Sequence, residues 1–426
     1  MIPTDPDVVV VGAGAAGIAA ARTLAELGRS CVVLEAAGRV GGRAFTSAAG
    51  LGAPLDHGAS WLHEAEANPL TPIARRLGFT LREERRGRRD ILLVGDRPAT
   101  AAELAAHNAA CEAWDAAAEA QAARGGPDIP LSEAVPRGGP WDATAAHWLG
   151  AIINGAEAEV TSLQDYVATG LDGQNLQAAE GLGTLVARLA EGLPVVLHAP
   201  VTRIAWGGPG GVAVEGPRGT IRARGCIVTV STGVLAAAGG LRFDPPLPVP
   251  VQEAVAGLPL GLLSKVALRA AGEDRLDLPA FARLGRRVEG PGDRPMSWML
   301  WPFGRDHAVG FIGGEAAWAL AREGPAAAEA HARAELARFF GAARAARAFA
   351  PGAVVTRWAE DPLHLGAYSH ARVGAAGARA VLRDAALAGG RLRFAGEACH
   401  ARYAATLGGA WESGVQAARA LAAALP

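Results

Sequence analysis

Gly12, Gly14 and Gly17 stand in a G-x-G-x-x-G spacing inside "VVVVGAGAAGIAAARTLAELGRSCVVLEAAGRVGGR" (residues 8–43), and Glu35 lies 18 residues beyond the last of them. Each glycine has a separate use. Gly12 permits the tight turn, Gly14 lets the backbone approach a pyrophosphate, and Gly17 lets the following helix pack closely on the strand. A carboxylate at position 35 can accept hydrogen bonds from an adenosine ribose. An acid there, rather than a base, disfavours a 2′-phosphate. The alternative, a bare packing turn, does not account for the acid. Arg39 and Arg43 then bracket Gly41 and Gly42, so two guanidinium groups can reach a pyrophosphate from its second side. Far along the chain, Lys265 sits in the apolar run "GLLSKVALRA". A lysine in such a setting either snorkels from a strand edge or is buried for a purpose.

These residues need a scaffold. Val8–Val11 and Cys31–Leu34 read as buried parallel strands, and "AGIAAARTLAELG" reads as a helix that Gly28 stops. The first-turn N–H groups of that helix face the phosphates. No second G-x-G-x-x-G of this quality occurs, and "GGPGG" at 207–211 and "GAAG" at 374–377 lack the strand–turn–helix setting, so a second nucleotide domain is not expected. The stretch 55–78 reads as loop, and "ATAAELAAHNAACEAWDAAAEAQAARGG" as one long helix. "REERRGRRD" (82–90) reads as a solvated face. Strands are expected in "PVVLHAPVTRIAWGG", "GVAVEG", "TIRARGCIVTVS", "LLSKVALRA", "SWMLWPF" and "AVGFIGG". An Ala-rich helix is expected over 325–347, a Pro-rich connection over 243–250, and a strand, loop and helix at the end.

The 426 residues exceed one compact core, so two domains are expected. Net charge is −1, which gives no general pull toward nucleic acid or anionic membranes. No basic n-region opens the chain, and no apolar run of about 18 residues spans a bilayer. The four cysteines (Cys31, Cys111, Cys226, Cys399) form no CxxC and read as free buried thiols. No metal-ligand cluster such as HExxH occurs. The expected setting is cytoplasmic, as a monomer or homodimer.

The opening G-x-G-x-x-G with E-x-x-x-R-x-G-G-R, and the closing "RLRFAGEACHARYAATLGGAWESGVQAARAL" (391–421), resemble the flavin-containing amine oxidases. The resemblance implies an α/β chain: a Rossmann-like FAD-binding domain from 1–82, 180–262 and 376–426, with an inserted α+β substrate domain from 83–179 and 263–375. It places Ala15, Ala16, Ala36, Gly58, Ala59, Ser60, Trp61, Val201 and Trp358 beside the cofactor. Gly396 and Glu397 meet the ribityl chain, through the Glu397 carboxylate or its neighbouring amide. The backbone at Thr406 and Leu407 faces the flavin pyrimidine, where a helix N-terminus stabilises negative charge. Lys265 matches a family lysine that holds a water at flavin N5. Tyr368 matches one wall of an aromatic passage whose second aromatic is replaced here by Thr406. Ala367 stands where covalently flavinylated relatives carry cysteine, so the FAD is expected to be non-covalent. "GASWLHEAEANPL" (58–70) resembles polyamine oxidases, which puts His63 at the substrate, and "INGAEAEVTSLQ" (153–164) offers Glu157 and Glu159 to distal ammonium groups.

The expected reaction is hydride transfer from an amine, a polyamine or a simpler primary or secondary amine, to flavin N5. The imine then hydrolyses to an aldehyde, and dioxygen is reduced to hydrogen peroxide. The alternatives are an L-amino acid oxidase or another FAD oxidoreductase such as a lipid desaturase on the same scaffold, and a non-catalytic FAD-binding protein.

Overall fold

A computed structural model describes residues 5–84, 90–208 and 211–425. The all-apolar run Val8–Val11 forms strand β1, with every residue buried. Helix α1 (Ala15–Glu26) follows, then strand β2 (Cys31–Leu34). β1 pairs in parallel with β2 on one side and with Gly225–Val228 on the other. Leu392–Phe394 and Val195–Val196 complete a five-stranded parallel sheet. The alanine and glycine content of α1 reflects close packing on both of its faces. A Cβ on Gly17 would lie 1.9 Å from Gly12 O, and one on Gly414 of the terminal helix (Leu407–Ala424) 2.1 Å from Ala16 O.

A second, seven-stranded sheet has the order Val354–Val355, Leu263–Arg269, His307–Gly313, Ser297–Leu300, Ala282–Arg286, Ile91–Val94 and Arg97–Pro98. Lys265 stands opposite Phe311 in its register. Among the described residues a smaller four-stranded sheet and three two-stranded ribbons complete the β-structure. The ribbons pair Leu81–Glu84 with Asn175–Ala178, Leu260–Gly261 with Tyr368–Ser369, and Thr46–Ser47 with Leu55–Asp56. No helix among the described residues is long and apolar enough to cross a membrane, and none of their acidic, His or Cys side chains cluster to hold a metal.

Several sequence expectations need correction. The 55–78 stretch is not all loop: it holds Leu55–Asp56 and the helix Leu70–Arg76. "PVVLHAPVTRIAWGG" yields only Val195–Val196 and Arg203–Ala205 as strands, because His198 between them takes a left-handed φ of 51°. The Ala-rich helix is two, Pro325–Phe340 and Ala342–Ala348, broken at Gly341 with φ 77°. The Pro-rich connection already opens a helix at Val249. The charged run 82–90 is not simply solvated where it is described; residues 85–89 lie outside the described set. The Arg82 guanidinium lies 3.4 Å from the Phe281 ring centroid, and the Glu84 carboxylate pairs with Arg283. The long helix matches its sequence cue. It runs Ala101–Ala123 from a capping box in which Thr100 and Glu103 satisfy each other's backbone N–H. The four cysteines are free; Cys31, Cys226 and Cys399 are buried and Cys111 half-buried.

Candidate active site

A cavity of about 740 Å³ joins the glycine turn to the second sheet. Its glycine side is lined by Gly12, Gly14, Ala15, Ala16, Glu35, Ala36, Gly41, Gly42, Arg43, Val201, Trp358, Gly396 and Glu397. Gly14 has an ordinary extended backbone, and a Cβ there would meet nothing within 4 Å. No side chain caps α1, so its first-turn N–H groups are open to an anion. The Glu35 carboxylate is buried and accepts from Ala13 N at 2.7 Å and Ala37 N at 2.8 Å. It therefore ties the strand end to the turn. On the wall, the buried His57 Nε2 and Trp298 Nε1 have no hydrogen-bond partner among the described residues. Burial, helped by Lys265 and Arg39, pushes the His57 imidazole down to about 4. It is neutral at pH 7.

The two arginines of the motif differ in place. Arg39 is off the cavity wall. Its guanidinium donates to Gly42 O at 2.8 Å and stacks 4.0 Å from the Phe45 ring centroid. Arg43 is on the wall, but it donates to Ala367 O at 2.9 Å and to Glu397 at 2.8 Å. Glu397 also accepts from Ser369 N, Ser369 Oγ and Ala405 N. Its carboxylate is thus engaged within the protein, and Gly396 N donates to Ser413 Oγ at 2.9 Å. Burial drives this carboxyl upward, but Arg43 and Arg379 outweigh it, and the net shift is downward.

Leu263–Arg269 delivers Lys265 to the cavity, where it is 3% exposed. Nζ donates to Asp56 O at 2.6 Å, Gly58 O at 2.6 Å and Ser60 Oγ at 2.5 Å. It lies 5.9 and 5.8 Å from the Trp61 and Phe311 ring centroids, within cation–π range. Burial pushes it down to about 8, with Asp56 opposing. A lysine at a strand edge would keep its ammonium in water; this one does not. Ala59, Trp61 and His63 line the same wall. Trp61 Nε1 donates to the Glu84 carboxylate, and His63 Nδ1 is 2.7 Å from Asn175 Oδ1. Glu84 and Asn175 are register partners of one ribbon, so that ribbon grips both side chains of the 61–63 loop.

Tyr368 lines the cavity, and its hydroxyl donates to Ile153 O at 3.1 Å. Burial raises its pKa, so it stays protonated. Thr406 and Leu407 line the wall at the start of the terminal helix. The Thr406 hydroxyl caps that helix through Gly409 N at 2.9 Å and donates to Tyr403 O, so a substrate there competes with a helix cap. Glu157 and Glu159 are not on the wall. Glu157 accepts Glu315 N–H at 2.8 Å at the start of another helix, and Glu159 is exposed. The acids that do line the cavity include Glu84, Asp115, Glu119 and Asp172. The sequence reading also missed Trp298, Phe311 and the π-helical turn His147–Asn154, which presents Trp148, Ile152 and Ile153. Only the turn's closing Gly155, with φ 71°, leaves a sequence trace.

A parallel sheet with a glycine-turn cradle, opening onto an aromatic cavity with a buried ammonium, defines a dinucleotide-dependent oxidoreductase. Residues 15–422 match the flavin containing amine oxidoreductases, and the chain belongs to that family. Its members carry a flavin, and the open Gly14 face and uncapped α1 fit FAD. Over 98% of its length the chain is 30% identical to lysine-specific histone demethylase 1 homolog 3 of Oryza sativa subsp. japonica, but it spans only 54% of that protein. It is also 30% identical to polyamine oxidase 4 of the same plant, over 97% of this chain and 88% of that one. Among solved structures, cyclohexylamine oxidase from Brevibacterium oxydans IH-35A has a TM-score of 0.76 at 23% identity, covering 98% of this chain and 99% of that one. A putrescine oxidase double mutant redesigned in cofactor binding has a TM-score of 0.77 at 22% identity, with the same coverage. At these identities the structural likeness shows the fold.

Proposed function

We propose that the protein is an amine oxidase holding FAD non-covalently and using dioxygen to produce hydrogen peroxide. The observation that carries this reading is the continuity of one cavity from the Gly14 cradle to Lys265, Trp61, Phe311 and Tyr368. Bound FAD supplies a two-electron acceptor for the amine and a route for those electrons to oxygen. In this reading α1 and Glu35 hold the adenosine and phosphate portion, Gly396–Glu397 the ribityl chain, and the Thr406–Leu407 helix start the pyrimidine. The ammonium of Lys265 offsets negative charge on the reduced side, and the aromatic wall excludes water. That wall also favours the neutral amine, whose lone pair assists C–H cleavage. Ala367 presents a methyl group where a covalent link needs a thiol.

An amine is favoured over an amino acid by the partners of the wall arginines. Arg283 pairs with Glu84, and Arg402 faces Glu64 at 3.8 Å. A substrate carboxylate would have to break such a pair. Asp115, Glu119 and Asp172 suit a cationic substrate, of which a polyamine is our leading candidate. The domain division proposed here assigns 1–82, 180–262 and 376–426 to the cofactor and 83–179 and 263–375 to the substrate. In its support, the five-stranded sheet draws only on the first set and the seven-stranded sheet only on the second. The test is a peroxide-coupled screen of polyamines, monoamines, N-methylated amines and L-amino acids on flavin-replete protein. Peroxide from L-amino acids alone, or anaerobic flavin that no amine bleaches, overturns the reading.

A further inference from the structure

The segment Ala367–Ala371 carries Tyr368 to the cavity wall, yet only Tyr368 and Ser369 pair with another strand, the two-residue Leu260–Gly261. So short a ribbon does not fix its own position. Backbone partners hold three further groups, with Ala367 N donating to Gly261 O, His370 N to Pro259 O, and Ser162 N to Ala371 O, while charged side chains hold Ala367 O, Ser369 and Ala371 N. Arg43 donates to Ala367 O. Glu397 accepts from Ser369 N at 3.2 Å and Ser369 Oγ at 2.6 Å. Arg379 donates to Ser369 Oγ at 2.8 Å and Ser369 O at 3.2 Å. Asp165 accepts Ala371 N–H at 3.0 Å. Arg379 and Asp165 also close a two-pronged pair with each other, Nε to Oδ1 at 2.6 Å and Nη2 to Oδ2 at 2.9 Å. The charges alternate along the row Asp165, Arg379, Glu397, Arg43.

Arg379 is 3% and Asp165 4% exposed, and neither lines the cavity. Arg379 lies on the helix Ala378–Asp384 and Asp165 on Leu163–Ala168, 214 residues apart in sequence. A buried pair of this kind adds little net stability over apolar packing, but it imposes one geometry because its fork fits in one way. The backbone it grips is the one that carries Tyr368. We propose that Arg379, held by Asp165, is a positioning residue that fixes the 367–371 segment and so sets the place of the Tyr368 ring at the reacting end of the cavity. The placement of the segment follows from the geometry alone; the effect on turnover rests on the amine oxidase reading.

The two parts are tested separately. Arg379→Lys keeps the charge and loses the fork. The Asp165→Leu/Arg379→Met double variant removes both charges in similar volume, and so reports on the pair even where a single variant folds poorly. In flavin-free protein, hydrogen exchange at the Ser369 and Ala371 amides should quicken roughly 10-fold or more in either variant, while β1 amides keep their protection. Unchanged exchange at both amides overturns the placement, whatever the protein oxidises. In holoprotein, Arg379→Lys should slow flavin reduction by the best amine roughly 10-fold, with kcat falling more than KM rises. In a Tyr368→Ala background the same change should cost less than about 2-fold, because the group being positioned is gone. Equal losses in the two backgrounds overturn action through Tyr368.

Discussion

Lys265→Met removes three donors and one charge at nearly constant length. In the wild type each bond from Nζ is charge-assisted, worth about 1.5–3 kcal/mol. Burial works against them: the drop from 10.5 to about 8 corresponds to roughly 3 kcal/mol against the charged form at neutral pH. The Asp56 and Gly58 carbonyls and the Ser60 hydroxyl lose their donor, and Met packs where the stem was. The net cost should be about 1–4 kcal/mol at pH 7, which leaves a folded protein that binds flavin. Linkage adds a signature. The unfolded lysine keeps its proton to about 10.5, and the folded one releases it near 8. Between those values the unfolded chain binds more protons, so wild-type stability rises with pH there, and the rise should be absent in Lys265→Met. In turnover, loss of the ammonium should slow the oxygen half-reaction at least 10-fold, about 1.4 kcal/mol of barrier. That step builds negative charge that Lys265 offsets. The wild-type oxygen rate should itself fall as pH rises through about 8. Stopped-flow reduction by amine and reoxidation by oxygen, together with melts from pH 7 to 10.5, measure all of this. Wild-type rates in both half-reactions of a flavin-replete Lys265→Met protein would refute the electrostatic role.

The glycines of one motif should respond in opposite ways. Gly14→Val should fold and lose flavin, since its side chain enters open cavity, whereas Gly17→Ala should unfold, since its methyl meets Gly12 O; thermal melts of apoprotein and flavin absorbance separate the two. Glu35→Arg should weaken FAD binding by roughly 2–4 kcal/mol, read by titration calorimetry, and unchanged affinity would remove Glu35 from the ribose. Glu119→Gln should raise KM for a triamine more than for a monoamine, while Glu157→Gln should treat both alike, because Glu157 serves a helix start. Steady-state kinetics with the two substrates decides it.

The N-terminal βαβ unit was legible because its determinants are local. Four β-branched residues, three glycines at fixed spacing and an acid 18 residues on fix a strand, a turn and a cradle within 30 residues of chain. The closing strand–loop–helix was legible for the same reason, and Lys265 stood out because lysine is costly in an apolar strand. What the sequence could not decide was where long polar side chains end. Arg43 and Glu397 are 354 residues apart, and each alone suits a phosphate or a ribityl hydroxyl. Folded, they satisfy one another, because a buried charge binds the nearest opposite charge before anything else. Glu157 was drawn into a helix start, Glu84 was lifted out of a charged run to hold Trp61, and Arg379 met Asp165 from another part of the chain. Local spacing determined the cradle; long-range charge pairing, visible only in the tertiary structure, decided which side chains remain to face the cavity.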